Sequence, residues 1–289
     1  PLPLEGEGPG VRAEKRVHYQ VVEATTPKGL GFDPAAGSRG GNVACPFCGT
    51  VADSAYVKAE GQAGRIGVQP MAVVCTQPGE QGKVYLAVDQ VPPDTWPDDD
   101  AIWQRIRALE AETIGDPAGS LTVPDEPIEA NPRSMDVQNY GFEKWADLFT
   151  PRQLLALVTF AKHVRTAYDE MLRRGHSNER AKAVVTYLGV LVDRLADYNS
   201  SLCNWHNTGE KIGHTYARQA LPMVWDFVEL NPMGNASGNA LSALAWITAM
   251  IRSSSNLGAV AQVWRSSATQ MSFEVGAFDV IVTDPPYYD

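Results

Sequence analysis

The C-terminal residues place polar groups directly after an apolar run. Residues 280–283 (Val-Ile-Val-Thr) are typical of a buried strand, and Asp284, Pro285, Pro286 and Tyr287 follow without a break. Open α/β sheets bind their ligands beyond the carboxyl ends of their strands. We therefore predict a ligand-binding or catalytic loop here. A rigid turn that only closes the strand is the alternative.

A second group with chemical potential is the Cys-x-x-Cys pair formed by Cys45 and Cys48. Two thiolates on a tight turn, followed by Gly49, form one zinc knuckle. A complete ribbon needs further ligands, and Cys75 is the candidate third thiolate, with His18 as a candidate fourth ligand. We predict zinc at Cys45, Cys48 and Cys75. A degenerate ribbon held by β packing is the alternative, and no thioredoxin-like βαβ pattern supports a redox role.

The charge of the chain is concentrated in one segment. The chain has 289 residues, of which 44% are hydrophobic, and its formal net charge is −10. Residues 89–131 hold eleven acids and two bases, which leaves 22 bases and 23 acids elsewhere. A purely cationic nucleic-acid binder is therefore disfavoured, whereas an enzyme with a local basic channel is not. Neither a membrane span nor a signal peptide is evident, so we expect a cytoplasmic protein without membrane association.

Short apolar runs predict a small β module before residue 89. Residues 55–58, 71–75 and 83–88 are rich in β-branched and aromatic side chains. The last two runs flank the turn-rich residues 77–82 and predict a hairpin. The acidic segment that follows is rich in proline and predicts a linker, apart from a helix over 101–114.

Residues 139–255 predict a mainly helical region. Thr150 and Gln153 form a capping box with proline at the first helical position, and apolar residues then follow at helical spacing. A second helix is predicted over about 181–198, antiparallel to the first. Further helices are predicted over 214–230, with a kink at Pro222, and over 239–253.

Two apolar runs come after the predicted helices. Residues 259–264 and 278–283 predict strands of an α/β sheet. Residues 33–41 imitate a glycine-rich cofactor loop, but no apolar strand precedes them and no helix follows. No cofactor-binding residue is assigned for this reason.

The Asp284-Pro285-Pro286-Tyr287 sequence resembles the loop of S-adenosylmethionine-dependent amino-methyltransferases that act on adenine N6 or cytosine N4, and the aspartate form indicates adenine. The resemblance implies that Asp284 and the Pro285 carbonyl accept hydrogen bonds from the target amine, a weak nucleophile. Tyr287 would stack on a base flipped out of its duplex. Similar loops act on rRNA bases and, with asparagine first, on protein glutamine.

The resemblance extends to a family of large adenine-specific DNA methylases with a zinc ribbon and an N-terminal domain of unknown function (DUF1156). It is carried by the cysteine pair and by the residues of the following stretches: 147–154, 217–227, 231–232 and 283–289. In that family the cofactor loop lies upstream of an insert and the Asp-Pro-Pro-Tyr loop downstream. The resemblance implies that this chain is an internal fragment, missing the remainder of the methyltransferase.

A local excess of bases lies in the helical region. We predict nucleic-acid contacts for Lys162, Arg165, Arg173, Arg174 and, near the C-terminal strands, Arg218. A solvated helical surface without a partner is the alternative for the first four, and a helix cap is the alternative for Arg218.

The predicted fold class is α+β. It comprises a connecting segment (1–25), a zinc-ribbon-like β module (26–88), an acidic proline-rich linker with one helix (89–135), a helical insert (136–256) and the start of a Rossmann-like methyltransferase sheet (257–289).

The predicted function is S-adenosylmethionine-dependent methyl transfer to adenine N6 in DNA, with RNA as another substrate, in a restriction-modification setting. The fragment is expected to be inactive alone. The alternative is a non-catalytic zinc-ribbon and helical module that binds nucleic acid or protein in a modification or defence assembly.

Overall fold

The computed structural model describes most of the chain and divides it into two compact units, residues 1–248 and 249–289. Helices and small antiparallel sheets make the fold α+β, as predicted at this level. No helix in the described part has the length and apolarity needed to cross a bilayer. The described residues are 17–33, 36–92, 95, 97–116, 119–130, 135–217, 220–255, 258, 261–267, 269–271, 273–274 and 276–284.

The cysteine module, residues 36–92, contains two small sheets and one helix. Strands β1 (Ser38–Arg39), β2 (Asn42–Ala44) and β3 (Val51–Ala52) form an antiparallel sheet. Strands β4 (Ala72–Cys75) and β5 (Val84–Ala87) form the predicted hairpin, with Ala72 opposite Ala87.

The strand predicted over 55–58 is wrong, because this segment belongs to helix α1 (Ser54–Gln62). Asp53 caps the helix, and its carboxylate accepts a hydrogen bond of 2.8 Å from the Tyr56 N–H. A side-chain acceptor at this position satisfies an N–H group that the first turn leaves unpaired.

The acidic segment is packed rather than a simple linker. Helix α2 (Asp99–Ala111) confirms the predicted helix, and its Ile106 is fully buried against helix α3 (Pro151–Arg173). After α2, Leu121 joins the same core, and Ile128 is buried where its N–H donates to the Glu143 carbonyl at 2.8 Å. The charges of this segment therefore lie on a folded element whose apolar face supports α3.

Helix α3 and helix α4 (Asn178–Asp197) form the predicted hairpin. The capping box of α3 is confirmed: the Gln153 N–H donates to the Thr150 hydroxyl, and the Thr150 N–H donates to Gln153 Oε1 at 2.8 Å. Ser177 caps α4, where its hydroxyl accepts from the Arg180 N–H. These local signals fix where both helices begin.

The helix predicted over 214–230 is not formed in the described residues of that range, 214–217 and 220–230. Their backbone instead bonds to distant segments. Leu221 accepts from the Val137 N–H at 3.2 Å, and the Val228 N–H donates to the Cys203 carbonyl at 2.7 Å. Strands β6 (Trp205–His206) and β7 (Lys211–Ile212) form a short hairpin before this range, and helix α5 (Ala240–Ser254) after it confirms the last predicted helix.

The two predicted C-terminal strands are absent from the described residues 261–267 and 276–284. A strand needs a partner for its backbone hydrogen bonds, and no described part of 249–284 supplies one. Val263 and Val282 are 89% and 90% exposed. Trp264, Phe273 and Phe278 form an edge-to-face aromatic cluster, with centroid distances of 5.6 and 4.8 Å.

Helix α1 attaches the cysteine module to the helical part through two glycines. A Cβ atom on Gly61 would lie 2.6 Å from the Tyr140 carbonyl oxygen, closer than real Cβ atoms approach. Gly141, on the opposite side of the contact, has a φ of 89°, a conformation that favours glycine. The two backbones therefore touch at a point where neither residue can carry a side chain.

The close approach of Gly61 to the Tyr140 backbone predicts that a side chain at position 61 lowers stability. Gly61→Ala should lower the free energy of unfolding by about 1–3 kcal/mol, because the added methyl forces the backbones apart. The matched control is Gly189→Ala in α4, where a Cβ meets nothing within 4 Å. That change should stabilise by about 0.5–1 kcal/mol, since alanine is the better helix former. Urea unfolding of both variants measures the difference, and equal midpoints would contradict the close approach.

Candidate functional site

The Asp-Pro-Pro-Tyr loop is only partly described. Asp284 is exposed and follows exposed apolar residues. Pro285, Pro286 and Tyr287 lie outside the described residues. The chemistry predicted for the loop therefore depends on the sequence, and the structure adds that the Asp284 carboxylate is open to solvent.

The Cys45–Cys48 turn has the form of a knuckle. The Cys45 N–H donates to the Thr50 carbonyl and the Gly49 N–H donates to the Cys45 carbonyl, both at 2.8 Å. Gly49 has a φ of 71°, which places it in the left-handed region that glycine favours. The Cys48 thiol lies 3.4 Å from the Thr50 hydroxyl oxygen. The turn that connects β2 to β3 therefore carries both sulfurs.

The third predicted ligand does not join them. Cys75 lies at the end of β4, and no three His, Cys, Asp or Glu side chains in the described part of the chain are grouped so that they could hold a metal ion. Structural zinc sites use four ligands. Two thiols alone do not fit such a site, so no chemical role is derived from zinc.

The described glycine-rich residues before this turn, 36–41, lead into a hairpin. Strands β1 and β2 pair as a hairpin, with Ser38 opposite Val43, where a cofactor loop would open a helix. A depression of about 660 Å³ lies beside the hairpin and is lined by Asp33, Arg39 and Asn42, among others. Its lining does not supply the glycine-rich loop and helix N-terminus that hold a nucleotide cofactor.

Four of the five bases predicted to contact nucleic acid have acceptors within the chain, and Arg218 lies outside the described residues. Lys162 pairs with Glu112, and Arg165 donates to the Gly119 carbonyl. These contacts connect α3 to the end of α2 and the residues that follow it. The hydrogen bond from Lys162 is the main reason that the pKa of the Glu112 carboxyl is lowered. Lys162 and Arg165 therefore act first as structural cations.

Arg173 and Arg174 share one carboxylate. Both pair with Glu170 at the end of α3, Arg174 at 2.6 Å. The hydrogen bond from Arg174 is the largest of the effects that lower the pKa of the Glu170 carboxyl. One carboxylate therefore serves two exposed bases at this end of the hairpin, where Asp169, Glu179 and Arg180 also lie.

A buried thiol and hydroxyl lie between α4 and β6 but cannot act as nucleophiles. Cys203 and Ser200 are fully buried. The Cys203 thiol donates to the Asp197 carbonyl at 3.4 Å, and Ser200 Oγ lies 2.7 Å from Thr215 Oγ1. Such groups are structural, because substrate cannot reach them and their hydrogen bonds are internal.

An aromatic and cationic cluster at the end of α4 was not predicted. The Arg194 guanidinium lies 5.1 Å from the ring centroid of Tyr198 and 5.2 Å from that of Trp246. His214 stacks on Tyr198 with a centroid distance of 5.5 Å, and its Nδ1 lies 3.3 Å from Asp197 Oδ2. The spacing of Arg194 and Tyr198 by four residues could have shown that they meet on α4. Nothing in the sequence shows that Trp246 of α5 comes to the same place.

The cysteines make a prediction about metal content. Cys75→Ser should leave the zinc content of the purified chain unchanged, because Cys75 does not join the knuckle. Replacing Cys45 and Cys48 together by serine should remove whatever zinc is present. Elemental analysis after gel filtration measures zinc per chain. A loss with Cys75→Ser as large as that of the double replacement would show that Cys75 is a ligand.

The chain matches no family model, no curated protein and no solved structure to which it was compared.

Proposed function

We propose that this chain is part of an S-adenosylmethionine-dependent nucleic-acid amino-methyltransferase that acts on adenine N6 in DNA. One observation carries the proposal: the carboxylate of Asp284 follows an apolar run directly and is followed by Pro285, Pro286 and Tyr287. The exposure of Asp284 is compatible with a side chain that meets a substrate.

The proposed chemistry is the activation of an exocyclic amine. The amine lone pair is delocalised into the base, so it must rehybridise before it can attack. The Asp284 carboxylate and the Pro285 carbonyl would accept hydrogen bonds from the two N–H groups of the amine. Both would stabilise the positive charge that develops on the amine nitrogen. Tyr287 would stack on the flipped base. S-adenosylmethionine supplies the methyl group as a sulfonium, and no residue of this chain is assigned to holding it.

In this proposal, the parts before the loop recognise the target. The cysteine module packs closely on the helical part at Gly61 and Gly141, and the end of the α3–α4 hairpin exposes Arg173 and Arg174. Exposed cations on a packed scaffold suit the positioning of a phosphate backbone. Zinc at Cys45 and Cys48 remains a proposal, since it requires ligands beyond those two thiols.

A second function is a non-catalytic module that binds nucleic acid or protein. It is favoured by the extent of the packed core, which lies in the unit formed by residues 1–248. Such a module would recognise its partner with the same surfaces but would need no carboxylate at residue 284. The two functions are therefore separated by the effect of that carboxylate.

Replacing Asp284 in the complete gene product tests the proposal. Asp284→Ala should lower methyl transfer to DNA by about 10²-fold or more, because a positioned acceptor for the amine is lost. Binding of S-adenosylmethionine should remain. Asp279→Ala is the matched control, an exposed acid in the same segment. Transfer of a tritiated methyl group measures the rate, and equal rates for both variants would refute the catalytic role.

A further inference from the structure

Helix α4 carries an exposed stripe of cationic and aromatic side chains. Arg180, Tyr187 and Arg194 are seven residues apart, and two turns of helix bring each to nearly the same side. Arg180 is exposed, Tyr187 is 38% exposed and Arg194 is half-buried. The stripe is about 21 Å long at 1.5 Å per residue.

The Arg194 guanidinium is positioned by two aromatic rings. It lies close to Tyr198 on its own helix and to Trp246 on α5, at the centroid distances given above. Contacts between a guanidinium and ring faces restrict its orientation but use none of its five N–H groups. The group is therefore held in place with its hydrogen-bonding edge unused by these contacts.

No acid in the described part of the chain pairs with Arg194. The described part of the chain contains no ion pair or side-chain hydrogen bond that involves its guanidinium. The nearest acid along this side of the helix is Asp197, and its carboxylate has other partners. Its Oδ1 accepts from the Tyr216 N–H at 3.0 Å, and its Oδ2 lies beside His214. The acid next in sequence, Asp193, is turned about 100° around the helix from Arg194.

Trp246 supplies an open aromatic surface beside this cation. The residue is 68% exposed, which is unusual for a tryptophan, while its neighbours Ala243 and Ile247 on α5 are buried. The helix is thus anchored by another face, and the indole remains open. An exposed indole next to an unneutralised guanidinium matches the two parts of a nucleotide, a flat base and a phosphate.

We propose that Arg194 and Trp246 form a binding site for single-stranded nucleic acid. A base stacks on the Trp246 indole and the Arg194 guanidinium binds the adjacent phosphate, while Tyr187 and Arg180 extend the contact along α4. The choice of nucleic acid rests on the proposed function. It also agrees with the charge, because an apolar protein partner would bury the Arg194 cation without an acid.

Anisotropy of a fluorescein-labelled single-stranded oligonucleotide tests the site, with the 289-residue chain titrated over a series of salt concentrations. Trp246→Ala should weaken binding about 5- to 150-fold, the range for loss of one stacked base, and should leave the salt dependence unchanged. Arg194→Gln should reduce the slope of log K against log salt by about 0.7, the value for one phosphate contact on a single strand. Arg194→Lys should retain that slope.

The matched control is Trp225→Ala. Trp225 is 47% exposed and packs edge-to-face on Tyr140, whereas the rings beside Arg194 are Tyr198 and Trp246, so its removal should not change oligonucleotide binding. Circular dichroism melts establish that every variant is folded. The proposal is overturned if the chain binds no oligonucleotide, or if Trp246→Ala binds as tightly as the parent or weakens binding no more than the control does.

Sedimentation of the same variants tests whether the Trp246 surface instead binds a second copy of this chain. If the chain self-associates and Trp246→Ala abolishes the association without weakening oligonucleotide binding, the indole is a protein contact and the proposal fails. The proposed function is judged separately, because these measurements use no S-adenosylmethionine. If Asp284→Ala abolishes methyl transfer and oligonucleotide binding at Arg194 and Trp246 is normal, both the proposed function and the proposed binding site are supported. If binding depends on Trp246 but Asp284→Ala does not affect methyl transfer, only the binding site is supported.

Discussion

The rest of the helical part depends on one buried polar turn, residues 199–203, which follows α4. Its hydrogen bonds reach three distant segments. The Ser201 N–H donates to the Leu148 carbonyl at 2.7 Å, and the Ser200 hydroxyl lies 2.7 Å from that of Thr215. Asn199 Oδ1 accepts from the Leu230 N–H at 3.1 Å. A buried polar group left without its partner costs about 1–3 kcal/mol. Each of those segments is therefore held where it satisfies the turn, and the C-terminal end of α4 is held with them.

Local signals in the sequence predicted the elements that are formed by local interactions. The capping box at Thr150 and the helical spacing after it gave α3, and the turn-rich residues between two apolar runs gave the β4–β5 hairpin. Helix α1 was missed because β-branched and aromatic residues over 55–58 outweighed the cap at Asp53. A short apolar run does not by itself distinguish a strand from a helix, and here the capping hydrogen bond at Asp53 favours the helix.

Interactions between distant residues explain the parts that the sequence did not predict. Residues 220–230 have apolar spacing that suits a helix, yet their backbone forms hydrogen bonds with Val137, with Cys203 and with Asn199 of the buried turn. The many acids and prolines of the acidic segment predicted a linker. The burial of its Leu121 and Ile128 depends instead on contacts with α3 and with residue 143, which are distant in sequence. The features of the candidate site likewise differ in whether they form from local or from distant residues. The knuckle at Cys45 is local, whereas the meeting of Arg194 with Trp246 joins two helices.

The acidic segment and the bases of α3 are parts of one electrostatic arrangement. Lys162 pairs with Glu112 and Arg165 donates to the Gly119 carbonyl, so both bases connect α3 to the end of α2 and the residues after it. A base whose charge is already offset by a carboxylate of the same chain contributes little attraction for a phosphate. Arg194 differs because its neighbours are rings, and Asp197, three residues further along α4, already contacts His214 and the Tyr216 N–H. The number of bases in a helical region therefore says less about nucleic-acid binding than the partners each base already has.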